Sequence, residues 1–205
     1  MKYGDLTLGR IEAIANKLGG EKGIDLFLSG KTIVIPAEKK FKYFEVWKKV
    51  TLGVDNASIY ILKLAMESFP ITVSTDANWM LYQSNIKLER KQKDLNLFLV
   101  TPEDLGYEEN EIVFYDDFCL RAWSRYGLRV CPAEVAVKFV LQHGDCFEGG
   151  WIHIAMKPIS NPKIHNSPKY IFRIYPSKGR KRQLEGYNKD GLIYRQDKFI
   201  FCREE

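Results

Sequence analysis

Residues 151–156 read Trp-Ile-His-Ile-Ala-Met, and residues 170–175 read Tyr-Ile-Phe-Arg-Ile-Tyr. Both stretches are short, rich in β-branched and aromatic residues, and flanked by Gly or Pro, which is typical of β-strands. Residues 192–195 and 198–202 have the same character. From residue 151 onward, the pattern therefore predicts a β-rich, mostly antiparallel sheet. We expect four side chains in its core: Ile152, Ile154, Phe172 and Phe201.

Before residue 151 the chain mixes helical and strand patterns. Pro102 and Pro132 stand where helices begin, and Gly127 follows an apolar stripe of helical spacing, which marks the end of a helix. Residues 7–29 predict a helical hairpin. The two kinds of pattern together predict an α+β fold. They divide the chain into a mixed helix and strand part, 1–150, and a basic β-rich part, 151–205, which fold as two units or as one continuous domain.

The composition is that of a globular protein. The chain has 205 residues, of which 45% are hydrophobic and 13% aromatic, so it buries a sizeable core without needing disulfides or metal. Its apolar runs are much shorter than the roughly 20 residues of a membrane span. The four cysteines form no C-x-x-C pair, and no apolar segment follows Met1. These features predict a cytoplasmic protein with free thiols and no membrane partner.

Positive charge is concentrated near the end of the chain. Residues 157–205 contain 12 Lys and Arg against 5 Asp and Glu, whereas residues 1–156 contain 19 against 21. Such asymmetry favours an anionic partner, because basic side chains bind phosphates and exposed aromatic rings stack on unpaired bases. Aromatic residues alternate with the basic ones in this segment. The residues predicted to bind nucleic acid are Lys178, Arg180, Lys181, Arg182, Arg173 and Arg195.

A second group of reactive residues lies between a predicted helix and a predicted strand. It comprises His143, Asp145, Cys146, Glu148 and His153. A Cys–His pair is the arrangement that activates a thiol as a nucleophile. With Cys131, the same Cys and His residues are also the types that bind zinc, but their spacing matches no common zinc motif, so we predict no metal site. The sequence leaves open whether the protein is an enzyme.

Several common catalytic motifs are absent from the sequence. There is no G-x-x-x-x-G-K-[ST] phosphate loop, no G-x-G-x-x-G dinucleotide motif and no G-x-S-x-G nucleophile elbow. These absences argue against a P-loop NTPase, a Rossmann oxidoreductase and an α/β-hydrolase. We therefore predict no cofactor.

Three segments resemble a family of uncharacterised bacterial proteins. They are Tyr126-Gly-Leu-Arg-Val-Cys-Pro-Ala-Glu-Val135, Gly150-Trp-Ile-His-Ile-Ala-Met-Lys-Pro-Ile159 and the closing Lys198-Phe-Ile-Phe201. The opening segment, residues 10–20, is similar to the start of the same family, so the resemblance covers about residues 6–203. The resemblance implies a bacterial, cytoplasmic setting. The family has no assigned activity, and the resemblance implies no functional residue.

The sequence thus predicts a binding protein that contacts nucleic acid or another polyanion, such as a phosphorylated ligand, through its basic C-terminal β region. Two alternatives stay open: an enzyme or toxin-like effector that uses the group at 143–153, and a module that binds a protein partner. The side chains around 178–182 and 143–153 distinguish the first two, because binding needs cations beside exposed aromatic rings and catalysis needs a histidine next to a thiol.

Overall fold

In the computed structural model, the chain divides into two compact units, Met1–Lys40 and Phe41–Glu205. The structure describes residues 44–53, 58–83, 86–145, 150–161, 166–176 and 182–203, together with positions 16, 24, 25 and 29. The predicted helical hairpin at 7–29 lies almost entirely outside the described residues. All the helices and strands named below belong to the second unit.

The described part of the chain contains four α-helices and seven strands. The helices are α1 Ile59–Glu67, α2 Thr75–Leu81, α3 Tyr115–Tyr126 and α4 Glu134–His143. The strands are β1 Lys48–Leu52, β2 Ile71–Val73, β3 Lys93–Val100, β4 Ile152–Ile154, β5 Tyr170–Tyr175, β6 Arg182–Asn188 and β7 Lys198–Arg203. A short 3₁₀ helix, Glu103–Leu105, follows β3. This arrangement confirms the predicted α+β fold.

All seven strands form one sheet in the order β1-β3-β7-β4-β5-β6-β2. Most neighbours are antiparallel, while β4 pairs with β7 and β2 pairs with β6 in parallel. Strands from before and after residue 150 therefore share the same sheet, with β7 hydrogen-bonded between β3 and β4. The four predicted core residues, Ile152, Ile154, Phe172 and Phe201, are all fully buried.

Helices α3 and α4 cover opposite faces of this sheet. Phe118 of α3 packs on Phe199 and Phe201 of β7, with ring centroids 4.8 and 5.6 Å apart. The register of β7, β4, β5 and β6 places Phe199 on the same face as Glu185 of β6. Arg182, three residues before Glu185, points to the other face and donates to the carbonyl oxygen of Val140 in α4. Since adjacent strand residues alternate between faces, α4 lies opposite α3.

The prediction of a strand at residues 192–195 is wrong, and β6 was not predicted. Ile193 forms only an isolated bridge with Val113. Strand β6 reads Arg-Gln-Leu-Glu-Gly-Tyr-Asn, in which Leu184 alone is fully buried. A polar sequence with an internal glycine gives little strand signal, so β6 depends on pairing with β5 and β2. The glycine is required because a Cβ at Gly186 would lie 2.8 Å from the Cβ of Asp76 in α2.

The buried carboxylate of Glu134 joins two loops at the start of α4. Its Oε1 accepts from the backbone N–H of Gly53, at 3.4 Å, and its Oε2 from that of Glu89, at 2.7 Å. Gly53 follows β1 with φ +68°, and a Cβ at this position would lie 2.1 Å from the carbonyl oxygen of Lys91. The loop after β1 therefore has no room for a side chain here.

Replacing Gly53 with alanine is expected to destabilise the fold markedly. Gly127→Ala is a matched control, because Gly127 also has a positive φ, +65°, but no atom of the described residues would lie within 4 Å of a Cβ added there. The control should lose about 1–2 kcal/mol from backbone strain alone. Gly53→Ala should lose about 1–3 kcal/mol more, from the added clash. Urea unfolding of both variants measures the difference, and equal losses would contradict the close contact with Lys91.

Candidate functional site

The sheet face that carries α3 also carries a row of polar side chains across its C-terminal strands. His153 of β4 lies opposite Arg173 of β5, and Arg173 lies opposite Glu185 of β6. Because directly paired residues point to the same side of a sheet, these three side chains share one face with Phe199, which pairs with His153. Alternation along β5 likewise places Ile171, Arg173 and Tyr175 on one side of the strand.

Aromatic rings fill the spaces between these polar groups. The imidazole of His153 stacks on Phe199 at 4.8 Å and contacts Tyr187 edge-on at 4.7 Å. The guanidinium of Arg173 lies 4.8 Å from the ring centroid of Tyr187 and 4.1 Å from that of Trp151. The ring of Trp151 in turn meets Tyr175 edge-on at 5.3 Å. We call this series, from Phe199 through His153, Tyr187, Arg173 and Trp151 to Tyr175, the aromatic row.

The aromatic row starts in the core and ends at the surface. Phe199 and His153 are buried, whereas Trp151 and Tyr175 are half-buried. Tyr175 ends β5, and the connection to β6 contains Lys178, Arg180 and Lys181, which lie outside the described residues. Tyr175 is thus close along the chain to the segment with the highest density of positive charge, and Trp151 contacts Tyr175. Basic side chains together with accessible aromatic rings favour contact with a phosphate backbone and unpaired bases.

Arg173 is held in the aromatic row by Glu185. The Nε and Nη2 atoms of Arg173 donate to Oε2 of Glu185 at 3.1 and 2.8 Å, and both side chains are about a quarter exposed. The guanidinium is planar, so it packs between the rings of Trp151 and Tyr187 while it binds this carboxylate. Glu185 offsets the charge of Arg173. The main role of the guanidinium is therefore to pack as a flat group against the aromatic rings, and not to bind a phosphate.

The other two arginines predicted for this site lie elsewhere. Arg182 points to the α4 face, where Nη1 donates to Val140 O at 3.3 Å and Nη2 is 3.9 Å from the carboxylate of Asp145. Arg195 binds Glu103, at the 3₁₀ helix, at 2.8 Å and lies 3.7 Å from Glu109. Three of the six basic residues predicted to bind nucleic acid lie among the described residues, and of these three only Arg173 belongs to the aromatic row.

His153 is neutral at physiological pH. Burial, and to a smaller extent the positive charge of Arg173, lower its pKa to about 4. Its Nδ1 is buried and has no hydrogen-bond partner among the described residues. Protonation would place a second positive charge beside Arg173 in an apolar setting, which is unfavourable.

This lowered pKa predicts a specific loss of stability in acid. The unfolded chain binds a proton at His153 near pH 6.5, whereas the folded chain does so only near pH 4. The free energy of unfolding therefore falls as the pH drops from 6.5 to 4, by up to about 3 kcal/mol from this residue. His153→Phe retains a ring and removes the titration. Urea unfolding at pH 7 and pH 4 should show a smaller acid loss for the variant, and an equal loss would contradict a neutral His153.

The structure does not bring together the two histidines of the predicted catalytic group. His143 ends α4, where its Nε2 lies 2.6 Å from the carbonyl oxygen of Lys49 and its ring packs on Phe139. His153 lies in the aromatic row, on the opposite face of the sheet. Asp145 lies near Arg182, and Cys146 and Glu148 lie outside the described residues. The sheet therefore separates the two imidazoles that an enzyme or a zinc site would combine.

Within the described residues, the thiols show neither metal-site nor nucleophile geometry. No three His, Cys, Asp or Glu side chains among them converge in a way that suits a metal ion. Cys119, Cys131 and Cys202 form no disulfide with one another. Burial raises the pKa of Cys119 to about 12 and that of Cys131 well above its usual value. These groups stay protonated near neutral pH and are poor nucleophiles.

Sequence reasoning missed Trp151 and Glu185 as members of the candidate site. Alternation along residues 151–154 places Trp151 and His153 on the same face, so the signal for Trp151 was present. Glu185 had no such signal, because its role depends on the register between β5 and β6.

Comparisons with protein-family models, curated proteins and solved structures gave no match to this chain. The resemblance to a bacterial family therefore remains a prediction. None of the described helices combines the length and apolar character needed to cross a bilayer.

Proposed function

We propose that this protein binds single-stranded nucleic acid on the C-terminal part of its sheet. In this proposal, bases stack on Trp151 and Tyr175, and Lys178, Arg180 and Lys181 contact the phosphates. The observation that carries the proposal is the course of the aromatic row, which reaches half-buried Trp151 and Tyr175. Tyr175 is followed along the chain, within six residues, by Lys178, Arg180 and Lys181. A bacterial, cytoplasmic setting belongs to the same proposal.

The position of Arg173 favours stacking of bases on the aromatic rings rather than sequence-specific recognition of bases. Its Nε and Nη2 atoms donate to Glu185, and its guanidinium lies 4.1 Å from the ring centroid of Trp151. A half-buried ring backed by such a plane is preorganised, because the ring loses little freedom when a base stacks on it. Every base has a π-face, so this contact favours unpaired bases of any sequence. We therefore expect weak sequence preference.

Binding to labelled single-stranded DNA and RNA, and to the matching duplexes, tests the proposal. Fluorescence anisotropy at low salt should show tighter binding of the single strands, because paired bases are not available to Trp151 and Tyr175. Affinity should fall steeply as salt rises, through the release of counterions. No binding at low salt, or equal affinity for single strand and duplex, would contradict base stacking and favour a protein partner for this surface.

A further inference from the structure

A cavity of about 530 Å³ lies on another part of the molecule. Residues 129–131 insert between the ends of β7 and β4, where Arg129 bridges to Cys202 and Cys131 bridges to Met156. This insertion forces apart the carboxyl ends of two parallel strands. In open α/β sheets, ligands commonly bind in a crevice outside the carboxyl ends of the strands, and this cavity lies at the carboxyl ends of β7 and β4. The volume lies within the range of roughly 300–1,000 Å³ typical of small-molecule sites.

The lining of the cavity combines an apolar floor with a basic rim. Cys131, Cys202 and Leu95 are buried at the floor, whereas Lys93, Arg129 and Lys157 carry positive charge around it. Glu89 contributes one carboxylate to the same lining. A second pocket of about 390 Å³ shares Cys131, Pro132 and Lys157 and adds another lysine, Lys87. Positive side chains therefore outnumber negative ones in both spaces.

The thiols of Cys131 and Cys119 add no negative charge to the cavity. Burial raises the pKa of the Cys131 and Cys119 thiols, so both remain neutral at physiological pH. Trp123 of α3, which is 42% exposed, forms part of the wall. An exposed tryptophan beside neutral sulfur atoms offers a flat apolar surface for a ring.

We propose that this cavity binds a small aromatic phosphate monoester. In this arrangement, the phosphate lies among Lys93, Arg129 and Lys157, and the ring lies against Trp123 and the thiol floor. A guanidinium matches two phosphate oxygens at once, and lysines add point charges. The cavity is distinct from the aromatic row, because Lys157 follows β4 whereas Trp151 precedes it. The inference therefore does not depend on nucleic-acid binding.

Titration calorimetry with phenyl phosphate, inorganic phosphate and benzyl alcohol tests this site. Phenyl phosphate should bind at least about tenfold more tightly than either of the others, because each of them lacks one half of the recognised chemistry. Lys157→Gln should weaken phenyl phosphate binding about tenfold, through loss of a charged contact. Lys169→Gln is the matched control, since Lys169 is exposed and does not line the cavity, and it should have no effect.

A second variant keeps the test independent of any single lysine. Val130 lines the cavity and is 42% exposed, so Val130→Glu should fold normally and place a negative charge in the site. It should abolish detectable binding of phenyl phosphate. Unchanged binding in Val130→Glu, absence of phenyl phosphate binding to the unaltered protein, or equal affinity for benzyl alcohol would each overturn the proposal.

Discussion

Replacing Lys178, Arg180 and Lys181 together with alanine is expected to give the largest change in nucleic-acid binding. Each phosphate contact on a single strand contributes about 0.7 to the slope of log affinity against log salt. Removing three such contacts should therefore reduce the slope by about two. Affinity at low salt should fall strongly, while any preference among sequences stays the same, because phosphate contacts position a strand without reading its bases.

Arg182→Ala is the matched control for the triple variant. Arg182 adjoins the same cluster in sequence, but its guanidinium faces α4, where it contacts Val140 O and Asp145. Its replacement should leave the salt slope unchanged. One phosphate contact accounts for about one-third of the slope reduction expected in the triple variant. If Arg182→Ala reduces the slope by that amount, Arg182 also contacts phosphate, and its assignment to the α4 face is wrong for the bound protein.

Trp151→Ala is expected to have the second largest effect, on affinity at all salt concentrations. Stacking of one base on an aromatic side chain contributes about 1–3 kcal/mol, which corresponds to a loss of about 5-fold to 150-fold in affinity. The salt slope should change little, because no phosphate contact is removed. Anisotropy across a salt series separates this parallel shift from the change in slope of the triple variant.

Two variants show whether the loss in Trp151→Ala comes from stacking. Trp151→Phe retains a ring and should lose much less affinity. Trp123→Ala removes an exposed tryptophan that lines the cavity and not the aromatic row, so it should leave nucleic-acid binding unchanged. Equal losses in the alanine and phenylalanine variants, after both pass a thermal unfolding check, would indicate that the ring of Trp151 is not used.

Several elements of the fold were predictable from local signals. Strand β5 agrees with its predicted bounds because its residues 170–175 are β-branched or aromatic at nearly every position. Helix α3 ends at Tyr126 with Gly127 as its cap, as the apolar stripe followed by glycine predicted. Strand β6 was missed, because Gln183, Glu185 and Gly186 give no local strand preference and the strand forms only through its partners.

The candidate sites depend on contacts that the sequence does not encode locally. The charge count predicted a basic C-terminal region, but only the register between β5 and β6 shows that Glu185 binds Arg173. Likewise, the direction of Arg182 depends on which strand face α4 covers. The cavity brings together Cys119, Cys131 and Cys202, which are far apart in sequence, through the insertion of residues 129–131. Cysteine spacing in the sequence, such as the C-x-x-C pattern, therefore could not predict this cavity.

The most direct test of nucleic-acid binding is the mapping of a photochemical crosslink. An oligonucleotide that contains 5-iodouracil is irradiated in complex with the protein, and the crosslinked peptide is identified by mass spectrometry. Because the aromatic row reaches the surface at Trp151 and Tyr175, the crosslink should map to one of these two residues and disappear when both are replaced with leucine. A crosslink at Trp123 instead, or none from a complex that forms at low salt, would contradict base stacking on this face of the sheet.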